Sequence, residues 1–222
     1  MQNAETPRKR GRPATKNPAP HAYHHGSLPD ALLHAAETVL RRDGLRGLTL
    51  RAIAREAGVS HTAPQHHFGD TAGVLSELAA SGHRRLADAM AKRAARAQSA
   101  AQRNRAIAHG YIDFAADNPD LFRLMSRNEL LDASRPSLIA ARRVSAGALS
   151  GMFDTAQPAP AADSAHPFAE IDAARAIAMT SAWAQVHGLA SLLVDNRLAG
   201  LARAASAFAT PRDLVDAVID AM

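Results

Sequence analysis

A chain of 222 residues has room for one large domain or two modest ones, and an apolar share of 47% is enough to build a core. The absence of cysteine excludes a disulfide framework, a thiol nucleophile and a cysteine metal site. The net charge of +5 is unevenly placed: residues 1–25 hold five bases against one acid, residues 84–105 seven against one, and residues 106–222 nine against thirteen acids, which favours a nucleic-acid partner near the N-terminal end.

The first residues carry no apolar run behind their charges, so no secretory signal is expected. No uninterrupted apolar stretch approaches the roughly 18 residues of a spanning helix. A cytoplasmic chain with no membrane partner is the expectation. Residues 1–22 are basic, proline-rich and without apolar period, and read as a disordered tail. Within it, Arg10-Gly11-Arg12-Pro13 is similar to an AT-hook core, whose arginines enter a narrow minor groove. A solvated tail that adds only phosphate attraction explains the same residues, and both readings stand here.

The spacing predicts a first helix from Leu28 to about Asp43, its face built from Leu28, Ala31, Leu32, Ala35, Ala36, Val39 and Leu40. Ser27 is its expected N-cap and Gly44 its stop. Thr49 caps a second, short amphipathic helix with Leu50, Ile53, Ala54 and Ala57 on one face. Gly58 supplies a left-handed turn, Val59 anchors it, and Ser60 is the expected N-cap of a third helix. Pro64 is expected near the fourth position of that helix, where it would remove a backbone bond. This is the pattern of a helix-turn-helix, whose last helix can lie in a DNA major groove.

Candidate DNA-contacting residues follow from that placement. Thr49 and Arg51 sit at a helix N-terminus, which favours a phosphate. Ser60, His61, Thr62, Gln65, His66 and His67 are the exposed candidates on the recognition helix, where Gln can pair with adenine and Thr can touch a thymine methyl. Arg10 and Arg12 join them through the tail. The His21, His24, His25 and His61, His66, His67 groups lack a carboxylate or Cys at ligand spacing, so no metal is expected. No nucleophile and base pair and no phosphate loop suggests an enzyme or a cofactor.

Residues 23–78 resemble the N-terminal domain of TetR-family transcriptional regulators. The matching elements are Tyr-His-His-Gly (23–26), Leu-Thr-Leu-Arg-Ala-Ile-Ala (48–54), Ala-Gly-Val-Ser (57–60) and His-Phe-Gly-Asp (67–70). Farther on, Trp183-Ala-Gln-Val-His187-Gly188-Leu189 resembles the Trp-His-Gly element of one C-terminal subclass. The resemblance implies an all-α homodimer that binds a double-stranded operator and releases it when a small molecule binds. Two positions depart from the family pattern: Gln65 stands where a Tyr is common and Thr71 where a Lys is common, each removing a phosphate contact.

A fourth helix starts near Thr71 and passes Met90, with Arg84, Arg85, Lys92, Arg93 and Arg96 on its outer face. It leads into the second domain, taken as residues 79–222. Helices are expected over 100–118, over 119–126 with Leu121, Phe122, Leu124 and Met125 inward, and from Pro136 to about Asp154. A proline-rich loop, 157–167, precedes a long helix from Ile171 to Leu193. Thr210, Pro211 and Asp213 open a last helix with Leu214, Val215, Val218 and Ile219 on its apolar face.

Trp183 and His187 lie four residues apart and are expected to face inward, as an apolar wall and a polar handle. Phe114, Phe122, Met125, Met152 and Met179 would complete the lining of a pocket for a small apolar or aromatic effector. Pure core packing explains Trp183 equally well. The long helix and the last helix, with Val215 and Val218, are expected to form a four-helix dimer interface. Two competing classes remain: an enzyme, against which the missing partner of His187 argues, and an interaction protein with a weakened helix-turn-helix.

Overall fold

The computed structural model describes residues 27–153 and 172–222, and the basic tail with Arg10 and Arg12, like the proline-rich loop, lies outside them. Among the described residues there are ten α-helices, two single 3-10 turns and no strand. Helices α1 (Leu28–Gly47), α2 (Leu50–Ala57) and α3 (Ala63–Phe68) form the N-terminal unit. Helices α4 (Thr71–Ala94), α5 (Ala100–Asp117), α6 (Pro119–Met125), α7 (Pro136–Ser150), α8 (Ala173–Val194), α9 (Ala199–Ala204) and α10 (Pro211–Asp220) follow. The fold is thus all-α, a three-helix unit carrying a helix-turn-helix joined to a larger helical unit.

The ends are set by side-chain caps that the sequence displays. Ser27, Thr49, Asp70, Ser99 and Asp172 each accept a backbone N–H from the first turn of their helix. Thr210 and Asp213 complete a reciprocal capping box on α10. Gly44 takes φ +68°, so α1 breaks there and only one further turn reaches Gly47, four residues past the expected end.

Leu32, Val39, Leu40, Ile53, Val74 and Leu78 are almost wholly buried and weld α1 and α2 onto the start of α4. Each such side chain contributes about 1.5–3 kcal/mol of transfer free energy. The α4 helix runs unbroken through residue 78, so one rigid rod joins both units. Its outer face is less free than its sequence suggests. Arg85 donates to Glu37 of α1 at 2.8 Å and also bonds Asn118. Arg93 donates to Asp113 of α5 at 2.7 Å, and Arg212 of α10 holds the other oxygen at 2.7 Å. Two of the basic residues taken as a charged face are therefore staples between helices.

The last helix corrects an expectation. Val215 and Ile219 have no exposed surface, because α10 lays its apolar stripe against α5, α8 and α9 of the same protomer. Val215 is a core residue, not an interface residue. The long helix behaves oppositely: Ile177 is 67% exposed and Leu192 40%. By length and composition alone α8 is apolar enough to cross a membrane, although it carries Arg175 and His187 and packs on α5 and α10.

Candidate nucleic-acid interface and interior cavity

The helix-turn-helix is built from α2, the turn and α3. Ala52, Ile53 and Ala54 are buried beneath α2. Gly58 takes φ +67° and ψ 30°, with its N–H on Arg55 O at 3.2 Å, and the Val59 N–H returns to Ala54 O at 3.0 Å. Only a residue without Cβ takes that left-handed turn without strain. Val59 is half-buried against the core.

Two details of α3 differ from expectation. The helix opens at Ala63, not at Ser60. The Ser60 hydroxyl accepts the Thr62 N–H at 3.4 Å and lies 3.0 Å from Thr62 Oγ1, so it caps a preceding turn. Pro64 consequently falls in the first helical turn, where its missing N–H removes no bond, and it is buried. Pro64 therefore costs no backbone bond, although the helix opens without a side-chain cap bond, Thr62 at its N-cap taking helical angles.

Only Pro64 and Phe68 of α3 point inward. Ser60, His61, Thr62, Gln65, His66 and His67 are exposed, as are Thr49 and Arg51. The Thr49 hydroxyl accepts the Ala52 N–H at 3.1 Å, and its own proton remains available to a phosphate. His66 and His67 stand edge to face at 5.3 Å.

Sequence reasoning missed what holds the far end of α3. Arg135, at the N-cap of α7, donates through Nη1 to the Phe68 carbonyl at 3.3 Å and through Nε to Glu77 at 2.7 Å. The Ser137 hydroxyl also donates to Glu77, at 2.8 Å. Gly73 leaves room for this crossing: a Cβ there would sit 2.0 Å from the Phe68 oxygen and 2.8 Å from the Arg135 guanidinium. Nothing in the local pattern around Arg135 marks it, because its partners are about 60 residues away in sequence.

In the larger unit, α4, α5, α6, α7 and α8 enclose a cavity of about 660 Å³. Phe122, Met125, Met179, Trp183 and His187 line it. Met152 and Phe114 do not. Met152 sits in the 3-10 turn after α7, which packs on α5, and it is buried in the core, as is Phe114. Trp183 is 54% exposed, so it forms a rim rather than the inward wall expected of it.

His187 has the partner that the sequence did not show. Its Nδ1 shares a hydrogen bond of 2.9 Å with the Tyr111 hydroxyl, 76 residues away. Phe122 lies 5.4 Å from the imidazole and Trp183 6.2 Å, ring centre to ring centre. Burial pushes the Tyr111 phenol up to about 12 and holds the imidazole below its usual range. Both groups are neutral near pH 7, a hydrogen-bonding handle rather than an acid and base poised to exchange a proton.

A second polar group closes the other side. His83 lies 2.9 Å from Ser145, and Arg142 reaches the Asn128 amide oxygen at 2.6 Å. All four line the cavity.

Residues 32–78 match the family described as bacterial regulatory proteins, tetR family, and residues 104–222 match a tetracyclin repressor-like C-terminal domain. A solved structure of a protein of unknown function from Rhodococcus sp. RHA1 is 34% identical, covers 91% of this chain and 96% of its own, and superposes with a TM-score of 0.69. The TetR family transcriptional regulator PfmR from Thermus thermophilus is 18% identical over 88% of this chain and 93% of its own, with a TM-score of 0.55, a likeness of fold. The uncharacterized HTH-type transcriptional regulator YobS of Bacillus subtilis (strain 168) is 26% identical over 97 residues, 44% of this chain. That alignment spans about half the length of this curated relative.

Proposed function

We propose that this chain, which belongs to the TetR family of bacterial transcriptional regulators, is a homodimeric repressor that a small molecule lifts from its operator. The observation that carries this reading is α3. It buries only Pro64 and Phe68 and turns Gln65, His66 and His67 outward at the end of a helix-turn-helix. Gln65 reads a base edge, Thr62 meets a thymine methyl, and Thr49 and Arg51 hold phosphates. Arg10 and Arg12 extend the footprint along the flanking duplex.

Gln65→Ala is expected to cost about 1–3 kcal/mol on a specific operator and almost nothing on random DNA. Parallel titrations of both duplexes at fixed salt test it. Equal losses on the two would remove base reading from Gln65 and leave α3 a backbone contact.

The partner of α8 is a second copy of the same helix. Ile177, Ala184 and Leu192 are exposed along it, and nothing lies within 4 Å of where a Gly188 side chain would begin. A helix from another protomer can approach closely there, burying an apolar surface that the protomer leaves open. The residues 23–78 unit contacts DNA and the remainder holds the effector, with α4 shared between them. A ligand in the 660 Å³ cavity acts only through a difference in its affinity for the DNA-competent and released arrangements.

A further inference from the structure

The cavity wall formed by α4 and α7 carries two polar groups whose bonding is incomplete. Ser145 Oγ donates its proton to the Arg142 carbonyl at 3.1 Å. With that proton on the carbonyl, the Ser145 oxygen accepts from His83, whose Nδ1 lies 2.9 Å away and carries the ring proton in this arrangement. That leaves His83 Nε2 as a bare acceptor, buried and with no partner among the described residues. A buried acceptor left unpaired costs free energy that a ligand donor can recover. Beside it, the Arg142 side chain bonds the Asn128 amide oxygen and no carboxylate among the described residues. Burial, with the Arg142 charge adding to it, holds the His83 imidazole down to about 4, so the ring is neutral when the cavity is filled from neutral solution.

We propose that the effector is an amphipathic hydroxycarboxylic acid, its carboxylate on the Arg142 guanidinium, its hydroxyl donating to His83 Nε2 and its apolar chain along Phe122, Met125 and Met179. This rests on the reading of the cavity as the effector site. Among the described residues Arg142 is the only Lys or Arg in the lining, which matches one negative charge rather than two. The planar guanidinium presents two parallel donors to a carboxylate, and the half-buried site weakens competition from water. The reading also changes which end of the cavity fixes the head group: Arg142 and His83 hold it, while His187 and Tyr111 close over the chain.

The chain has a single tryptophan, at the rim of this cavity, so its fluorescence reports occupancy directly. The full-length protein is titrated with decan-1-ol, decanoate, 3-hydroxydecanoate and decyl phosphate. Decanoate is expected to bind about tenfold more tightly than decanol, and 3-hydroxydecanoate several-fold more tightly again. Arg142→Gln, its fold checked by thermal melting, should erase the advantage of the acid over the alcohol. Decanol equal to decanoate, or decyl phosphate tighter than both acids, overturns the carboxylate assignment while leaving the effector site intact. Decanoate equal to its 3-hydroxy form overturns the role of His83. A Trp183 signal that none of the four compounds moves overturns the effector site itself, and this assignment with it.

Discussion

Val215→Asp is expected to abolish the fold, whereas Ile177→Asp is expected to abolish only the dimer. Both place a carboxylate on an apolar helix face, and the two faces differ in what covers them. Val215 has no exposed surface inside one protomer, where α10 packs on α5 and α8. An unpaired carboxylate there costs several kcal/mol, a large part of the roughly 5–15 kcal/mol that holds a typical domain together. Ile177 is 67% exposed, so in an isolated protomer its replacement changes stability by about 0.5 kcal/mol or less. In a dimer built on α8 it would bury an unpaired carboxylate from each protomer in the interface. Melting followed by far-UV circular dichroism should show no cooperative transition for V215D and a native-like one for I177D. Sizing should give a dimer for the parent and a monomer for I177D, with cooperative operator binding lost. A folded, monomeric V215D beside a dimeric I177D would move the interface from α8 to α10.

That contrast also marks where the sequence stops being informative. Periodicity placed Leu214, Val215, Val218 and Ile219 on one face of a capped helix, and the face is real. Periodicity says that a face must be covered and is silent on whether the cover is the same chain or another. Local signals carried much further. The Thr49 cap, the Gly58 turn and the Pro211 start depend on neighbours within four residues, and each sits where the pattern puts it. The start of α3 failed by a few residues because Ser60 and Thr62 can both cap, and a hydroxyl two residues early satisfied a turn instead. The site was legible in proportion to its locality. Trp183 and His187 share one helix and were visible together. Tyr111, His83 and Arg142 reach the same cavity from three other helices, and no spacing rule joins them. Met152 was drawn in by chemistry alone, and the 3-10 turn after α7 aims it elsewhere.

Arg135→Ala is expected to weaken operator binding about tenfold and to flatten the response to effector. The reason is the double duty of α7. At one end its N-cap residue clamps the Phe68 carbonyl, where α3 ends, and Glu77 on α4. Toward the other end Arg142, Ser145 and Leu149 line the cavity. A shift of α7 on binding a ligand therefore reaches the recognition helix through one side chain and two hydrogen bonds, without any change inside α3. Removing the guanidinium leaves Glu77 bonded to the Ser137 hydroxyl at 2.8 Å, so the fold loses only about 1–3 kcal/mol and survives. Arg135→Lys keeps the charge but not the fork that holds a carbonyl and a carboxylate at once, and should fall between parent and alanine. The measurement is operator affinity with and without a saturating ligand, for parent and both variants. Because coupling is reciprocal, ligand affinity should also become less sensitive to added operator in R135A, by the same factor. An alanine variant with weaker operator binding but an undiminished ligand effect would make Arg135 a support for α3 and place the signal elsewhere, on the continuous α4 rod. Unchanged behaviour on both counts would remove it from the DNA-binding mechanism altogether.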